Sequence, residues 1–257
     1  MSHVPVPDAP AILVDDHILA VADLHIGIEA ALFEAGVSLP SQTRKLGRRL
    51  RALLEATDSK TLVVLGDVKH FIPGVSPVER RDIPIFFHEI ADAVDEVHIA
   101  AGNHDALIRP YLPDFVEIHP PSGFTIGGAS FVHGHAWPAK NVMAAKVLIM
   151  GHNHPAVVFV DKLGGRTVVP AWVRVPFRRK HKRYRRLPKE AVCVPSFNEL
   201  CGGTPVNDRY ARLLGPLMQP EVVNLERARL HLLDGTALGL LPSLRVEARF
   251  RWSDYRQ

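Results

Sequence analysis

The chain has 257 residues, 47% of them apolar and 23% charged, a balance that excludes a disordered tail or a fibrous protein and predicts a globular one. Lys+Arg 31 against Asp+Glu 27 gives a net charge of only +4. That value conceals Arg174, Arg178, Arg179, Lys180, Lys182, Arg183, Arg185, Arg186 and Lys189, which fall within 174–189 with no acid among them; the remainder has 22 basic against 27 acidic residues and is net negative. Cys193 and Cys201 alone build neither a disulfide framework nor a paired-cysteine metal knuckle. No apolar run approaches the roughly 18–20 residues of a membrane span. Residues 1–10 lack the cationic-then-apolar pattern of a secretory signal, so a cytoplasmic, membrane-free location is expected.

In chain order, short Val/Ile-rich runs end in bursts of polar residues. Ile18–Ala22 leads into Asp-Leu-His, Thr61–Leu65 into Gly-Asp, and Val97–Ala101 into Gly-Asn-His-Asp. Ser130–Val132 leads into His-Gly-His and Val147–Met150 into Gly-His-Asn-His. Such runs, bounded by Gly, read as buried strands. A helix is predicted over about Pro40–Thr57, with Leu46, Leu50, Leu53 and Leu54 on one face, and a second around Arg81–Val94. Strand, helix, strand, helix, strand predicts an α/β sheet. Beyond His154, Ala156–Asp161, Arg166–Val173, Ala191–Val194 and pieces of 228–250 read as further strands, with turns at Leu163-Gly164-Gly165 and Asp234-Gly235. This half is expected to complete the same single domain, 1–257, as a mainly β layer.

Ligands of open α/β sheets bind beyond the carboxyl ends of the strands. That edge would collect Asp23, His25, Asp67, Asn103, His104, Asp105, His133, His135, His152 and His154. Asp23/His25 and His152/His154 are spaced i, i+2, which on extended backbone puts both side chains on one side. The donors are imidazole and oxygen without thiolate, which suits Mn²⁺, Fe²⁺ or Zn²⁺ and disfavours a cysteine-type structural zinc. Donors this numerous exceed the needs of one tetrahedral ion, so two ions sharing a carboxylate are expected. Burying so many ionisable groups without a metal would be costly.

In this order Asp23-x-His25, Gly66-Asp67, Gly102-Asn103-His104-Asp105, His133 and Gly151-His152-x-His154 resemble the signature of the calcineurin-like metallophosphoesterases. Ala22-Asp-Leu-His-Ile-Gly27 is similar to the SbcD-type repair nucleases of that superfamily. Asp67-Val-Lys-His70 and the segment from Pro195 to Asn207 resemble the small archaeal and bacterial ICC-like, SbcD-related phosphoesterases. The resemblance implies a four-layer α/β/β/α sandwich and a two-metal hydrolysis of phosphodiester bonds. One ion would take Asp23, His25 and His154 and the other Asn103, His133 and His152, with Asp67 bridging. His104 would contact phosphate and protonate the leaving oxygen, with Asp105 orienting it. Mn²⁺ is the expected metal, with Fe²⁺ and Zn²⁺ as alternatives.

His135 is expected to support a ligand or touch substrate. Lys69 and His70, directly after Asp67, are candidate phosphate contacts, and Asn198 and Asn207 rest on the resemblance alone. There is no Walker-type loop, no dinucleotide glycine fingerprint and no Gly-x-Ser-x-Gly elbow. The basic stretch interleaves Phe177, His181 and Tyr184 with its cations, a pattern suited to phosphate chains and unstacked bases. Arg178, Arg179, Lys180, Lys182 and Arg183 are therefore taken as nucleic-acid contacts. A DNA nuclease or phosphodiesterase linked to repair is the leading expectation, with a repair helicase or ligase as a conceivable partner. A small-nucleotide phosphatase or phosphodiesterase is the rival. A non-catalytic metal-bearing scaffold is the reading from another class, disfavoured by the complete ligand set with His104 present.

Overall fold

Each central strand is apolar on both faces because each sheet is covered on both sides. In the computed structural model, which describes residues 2–246, six strands form the first sheet: β1 (His3–Pro5), β2 (Ala11–Val14), β3 (Ile18–Val21), β4 (Thr61–Val64), β5 (Glu96–Ala100) and β6 (Val116–His119), side by side in that order. β1 to β3 form an antiparallel meander, and β3 to β6 run parallel.

Three helices lie in the crossovers of this sheet: α1 (Ile28–Glu34), α2 (Thr43–Thr57) and α3 (Pro77–Ile90). Leu46, Leu50 and Leu54 of α2 and Ile83, Phe86, Phe87 and Ile90 of α3 bury against Leu19, Val21, Leu62 and Val64. The second helix of the sequence reading begins four residues earlier than expected. Ser76 caps it by accepting from the Glu79 amide while Glu79 accepts from the Ser76 amide, with Pro77 at the first turn.

The second sheet contains β7 (Phe124–Ile126), β8 (Ala129–Val132), β9 (Val147–Met150), β10 (Pro155–Val160), β11 (Arg166–Pro176), β12 (Glu190–Cys193) and β13 (Thr204–Pro205), with β14 (Arg229–Leu232) and β15 (Ala237–Leu240) on a branch. β8, β9 and β12 are parallel, and β11 runs antiparallel to β10, β12 and β14. Alternate residues of the two sheets meet between them: Ile12, Ile18, Ala20 and Val63 pack with Phe131, Ile149, Trp172 and Val192. The outer face of the second sheet buries Leu148, Met150, Ala191 and Cys193 under Met143, Leu217, Met218, Val222 and Leu241. This fourth layer is thin, made of 3₁₀ turns, loops and α4 (Leu241–Leu244). The strand reading for 228–250 is met by β14 and β15; 247–250 lies outside the described residues. No helix among the described residues is long and apolar enough to cross a membrane.

Because β3, β4 and β5 are parallel to one another, as are β8 and β9, the polar bursts after these strands meet along one edge of the sandwich. The basic stretch is the connection between β11 and β12. Its first cation, Arg174, lies within β11 and pairs with Glu190 (3.1 Å).

Candidate metal centre and basic loop

Backbone geometry marks the centre before any side chain is considered. Asp23, His25, Asp67, His152 and His154 all have positive φ, between 41° and 70°. That region is sparsely populated by residues other than glycine, and strain of this kind clusters at functional sites. Gly102 permits a further close approach, since a Cβ there would lie 2.1 Å from Asp67 Oδ1.

The side chains converge. Asp67 Oδ2 lies 3.2 Å from His133 Nε2, 3.7 Å from His25 Nε2 and 4.0 Å from His104 Nε2. Asp23 Oδ1 lies 3.4 Å from His154 Nε2. His133 Nε2 is 3.0 Å from His152 Nδ1 and 3.2 Å from Asn103 Oδ1. Ligand-capable atoms of Asp23, His25 and Asp67 gather within one ion's reach, as do those of Asp67, His133 and His152. Asp67 belongs to both groups.

Charge supports a cation here. Asp23 and Asp67 are buried, and neither forms an ion pair with Lys or Arg among the described residues. Burial opposes ionisation of Asp67, but its bond to His133, the charges of His133 and His25 and the His104 amide hold the carboxyl below the usual carboxylate range. Burial would lower His133, but the bond to Asp67 and the charges of Asp67 and Asp23 raise it to about 9. The His133 imidazolium thus balances the carboxylates, a task that a divalent ion would take over. Burial lowers His25 to about 3 and His152 to about 4, so both are neutral at pH 7, the form that ligates metal. His133 Nδ1–H donates to the Leu65 carbonyl (2.7 Å), which aims Nε2 at the cluster. The donor set therefore fits divalent metal.

Other expected residues divide. His70 is in the centre, with Nδ1 3.3 Å from His25 Nδ1 and its ring stacked on His104 at 5.7 Å. His135 lies beside it, its ring 5.2 Å from that of His133, with a buried Nδ1 that has no partner among the described residues. Lys69, expected at phosphate, is fully buried and its ammonium donates to the Phe71 carbonyl. Asp105, expected to orient His104, is buried as well. Its carboxylate accepts from the amides of Gly102, Asp67 and Val68, each at 2.8 Å, and so fixes the two loops together. The His70 carbonyl accepts from His104 Nδ1–H at 2.5 Å. Asn198 holds the Leu24 carbonyl (2.8 Å), next to the Asp23 turn, whereas Asn207 bonds Val158 and Leu244.

Sequence reasoning missed three participants. Cys201 lies within ligand reach of His25 and His154. Burial, then the charge of Asp23, raises its thiol well above the usual range, so the sulfur is a neutral thiol. Glu79, fully buried, accepts from the His70 amide (2.9 Å) and the Phe71 amide (2.5 Å), steadying the loop after Asp67; the Ser76-x-x-Glu79 box was a readable signal for it. Trp137 is the third.

The basic loop docks on the segment after His133. Tyr184 is buried and its hydroxyl donates to the Pro138 carbonyl (2.8 Å). Trp137 meets His181, ring centroids 5.5 Å apart, and the Arg183 guanidinium lies 5.4 Å from the Trp137 ring centroid. Arg178 is held, donating to the Pro220 carbonyl. Arg179, Lys180, Lys182 and Arg183 are exposed and make no ion pair among the described residues. A cavity of about 470 Å³, lined by Val4, Trp172, Arg174, Arg229 and His231 among others, contains none of the candidate ligands.

A calcineurin-like phosphoesterase family model matches residues 17–168. Among solved structures, the nuclease MPE of Pseudomonas putida is 20% identical, with a TM-score of 0.54, covering 93% of this chain and 100% of that one. YfcE, a phosphoesterase from E. coli, is 16% identical over 86% of this chain and 96% of that one, with a TM-score of 0.38, too distant to add weight. No curated protein matches. The family match spans every strand that delivers a candidate ligand, and the first of these neighbours shares the fold: the chain belongs to the calcineurin-like phosphoesterases.

Proposed function

We propose that this phosphoesterase is a two-metal phosphodiesterase that cleaves DNA. The observation that carries the reading is the docking of a cation-rich loop, through Tyr184 and Pro138, onto the segment that continues from His133. Asp23, His25 and His154 would hold one ion and Asn103, His133 and His152 the other, with Asp67 shared between them. Mn²⁺ is the preferred metal, and Fe²⁺ or Zn²⁺ would satisfy the same donors. Bound, these ions supply Lewis-acid neutralisation of phosphoryl charge and an activated water.

The chain's own groups do the rest. The His70 carbonyl fixes the Nδ1 proton of His104 and leaves Nε2 facing Asp67 across 4.0 Å. From Nε2 a second proton can pass to a departing alkoxide. The Asp105 carboxylate gathers amides from the Asp67 and Gly102 loops, so the shared ligand and His104 keep one spacing. His135, whose ring lies 5.2 Å from that of His133, would contact substrate there. Arg178, Arg179, Lys180, Lys182 and Arg183 attract the strand. The solved nuclease that shares this fold supports a nucleic-acid substrate, and a role in DNA repair, beside a helicase or ligase, follows from the sequence resemblance. The test is turnover of single- and double-stranded DNA, a chromogenic diester and a monoester with Mn²⁺, Mg²⁺ and Zn²⁺. Preference for the monoester over both DNA forms would favour a small-nucleotide phosphatase.

A further inference from the structure

The basic loop brings aromatic rings as well as charge to the metal centre. Trp137 is 37% exposed, although a large indole gains by burial. Its ring meets His181 at 5.5 Å with 36° between planes, and His181 in turn stacks on Tyr184 at 5.5 Å. The Arg183 guanidinium lies 5.4 Å from the centroid of Trp137 and 5.9 Å from that of Tyr184. Buried Tyr184, tied to Pro138, fixes this group to the segment that carries His133 and His135. Trp137 stands two positions after His135, and a step of two residues along the backbone spans at most about 7 Å. The His135 ring is itself 5.2 Å from that of His133. The backbone that carries the platform is therefore within about 7 Å of the His135 backbone.

We propose that Trp137, with His181 and Arg183, is a stacking platform for an unpaired base, so that the enzyme engages single-stranded or frayed nucleic acid in preference to a blunt duplex. The proposal rests on the nucleic-acid reading above. A base sandwiched on an indole and approached by a guanidinium has both contacts that single-strand sites use. A paired base keeps its faces inside the duplex stack and cannot use the ring.

The test is equilibrium binding of a phosphorothioate oligothymidylate, which resists hydrolysis, and of a blunt phosphorothioate duplex of equal length to the Mn²⁺-loaded protein and to Trp137→Ala and Trp137→Phe. Single-strand affinity should fall about 5- to 150-fold in W137A, the range expected for losing one base stack, and stay within a few-fold in W137F. Duplex affinity should change by less than about twofold, because the counterion release that drives it is untouched. Quenching of tryptophan emission by the oligothymidylate should disappear in W137F, although that variant still binds. Equal losses on both ligands would show that Trp137 merely anchors the loop and would overturn the proposal. Unchanged single-strand affinity, unaltered quenching or no binding by the wild type would overturn it too. Cleavage of unmodified DNA by a protein whose W137A variant binds normally would refute the platform and leave the nuclease reading standing. Trp137-dependent binding without cleavage would do the reverse.

Discussion

Replacing Arg178, Arg179, Lys180, Lys182 and Arg183 together by Gln tests whether the basic loop serves a polyanion. The loop carries nine of the 31 Lys and Arg residues on a chain that is otherwise net negative. Arg174 is committed to Glu190 and Arg178 is held at Pro220, whereas Arg179, Lys180, Lys182 and Arg183 are exposed without ionic partners among the described residues. If a duplex engages six cations of the loop, the log–log salt slope is about −5, and affinity falls roughly 10³-fold between 50 and 200 mM salt. The variant retains one or two contacts, so its slope should flatten to about −1 to −2 and the same salt step should cost roughly 4- to 12-fold. Fluorescence anisotropy with labelled DNA over a salt series measures both slopes. Cleavage of DNA at low salt should fall at least tenfold more than turnover of a chromogenic diester, which carries one charge and is bound at the metals. A slope unchanged from wild type would refute the reasoning, and equal losses on DNA and small diester would show that the loop supports the fold or the centre instead.

Three further outcomes follow from the geometry. His104→Ala should lower turnover roughly 10²- to 10⁴-fold, the range for a positioned acid, with less loss on diesters that have good leaving groups; metal analysis should show both proteins equally loaded. Gly102→Ala places a Cβ 2.1 Å from Asp67 Oδ1, so the carboxylate must move, and metal affinity by calorimetry should fall about 10- to 100-fold or more. Glu190 is drawn from 4.5 to about 2 by its bond to His3, against the cost of burial, and by Arg174 and Arg229. That depression is worth at most roughly 3 kcal/mol, present in full above pH 4.5 and lost as pH falls toward 2. Urea denaturation should therefore find Glu190→Gln less stable than wild type at pH 7 and nearly equal to it near pH 2; a difference that persists at low pH would assign the effect to packing.

The part of the fold set by local pattern was legible. Val147–Met150 is apolar throughout because Leu148 and Met150 face one core and Val147 and Ile149 the other, and an uninterrupted short run ended by a glycine reads as such a strand. α2 was equally plain, since Leu46, Leu50 and Leu54 repeat at helical spacing. The start of α3 was placed too late because the leucine-like periodicity begins after the capping box, although Ser76, Pro77 and Glu79 announce it. The candidate ligands were legible because each follows closely on a short apolar strand, and parallel pairing brings the ends of those strands together.

What distance in sequence conceals was not legible. Nothing near Lys69 shows that its chain turns inward to Phe71, and nothing near Asp105 shows that its carboxylate is consumed by three amides. Cys201 reaches His25 and His154 only because Phe197 and Asn198 pair with the backbone at Ala22 and Asp23. Pro138, next to Trp137, joins the basic loop through a hydroxyl 46 residues away. Such contacts depend on which loops cross, and no local periodicity encodes that.

The central claim is tested most directly by titrating Mn²⁺ into chelator-treated protein while following bound metal and hydrolysis of a chromogenic phosphodiester in the same samples. Two ions should bind per chain, hydrolysis should appear only as both sites fill, and Asp67→Asn should lose metal occupancy and hydrolysis. Full hydrolysis by protein shown to contain no metal, or an Asp67→Asn variant that binds and turns over as wild type does, would contradict it.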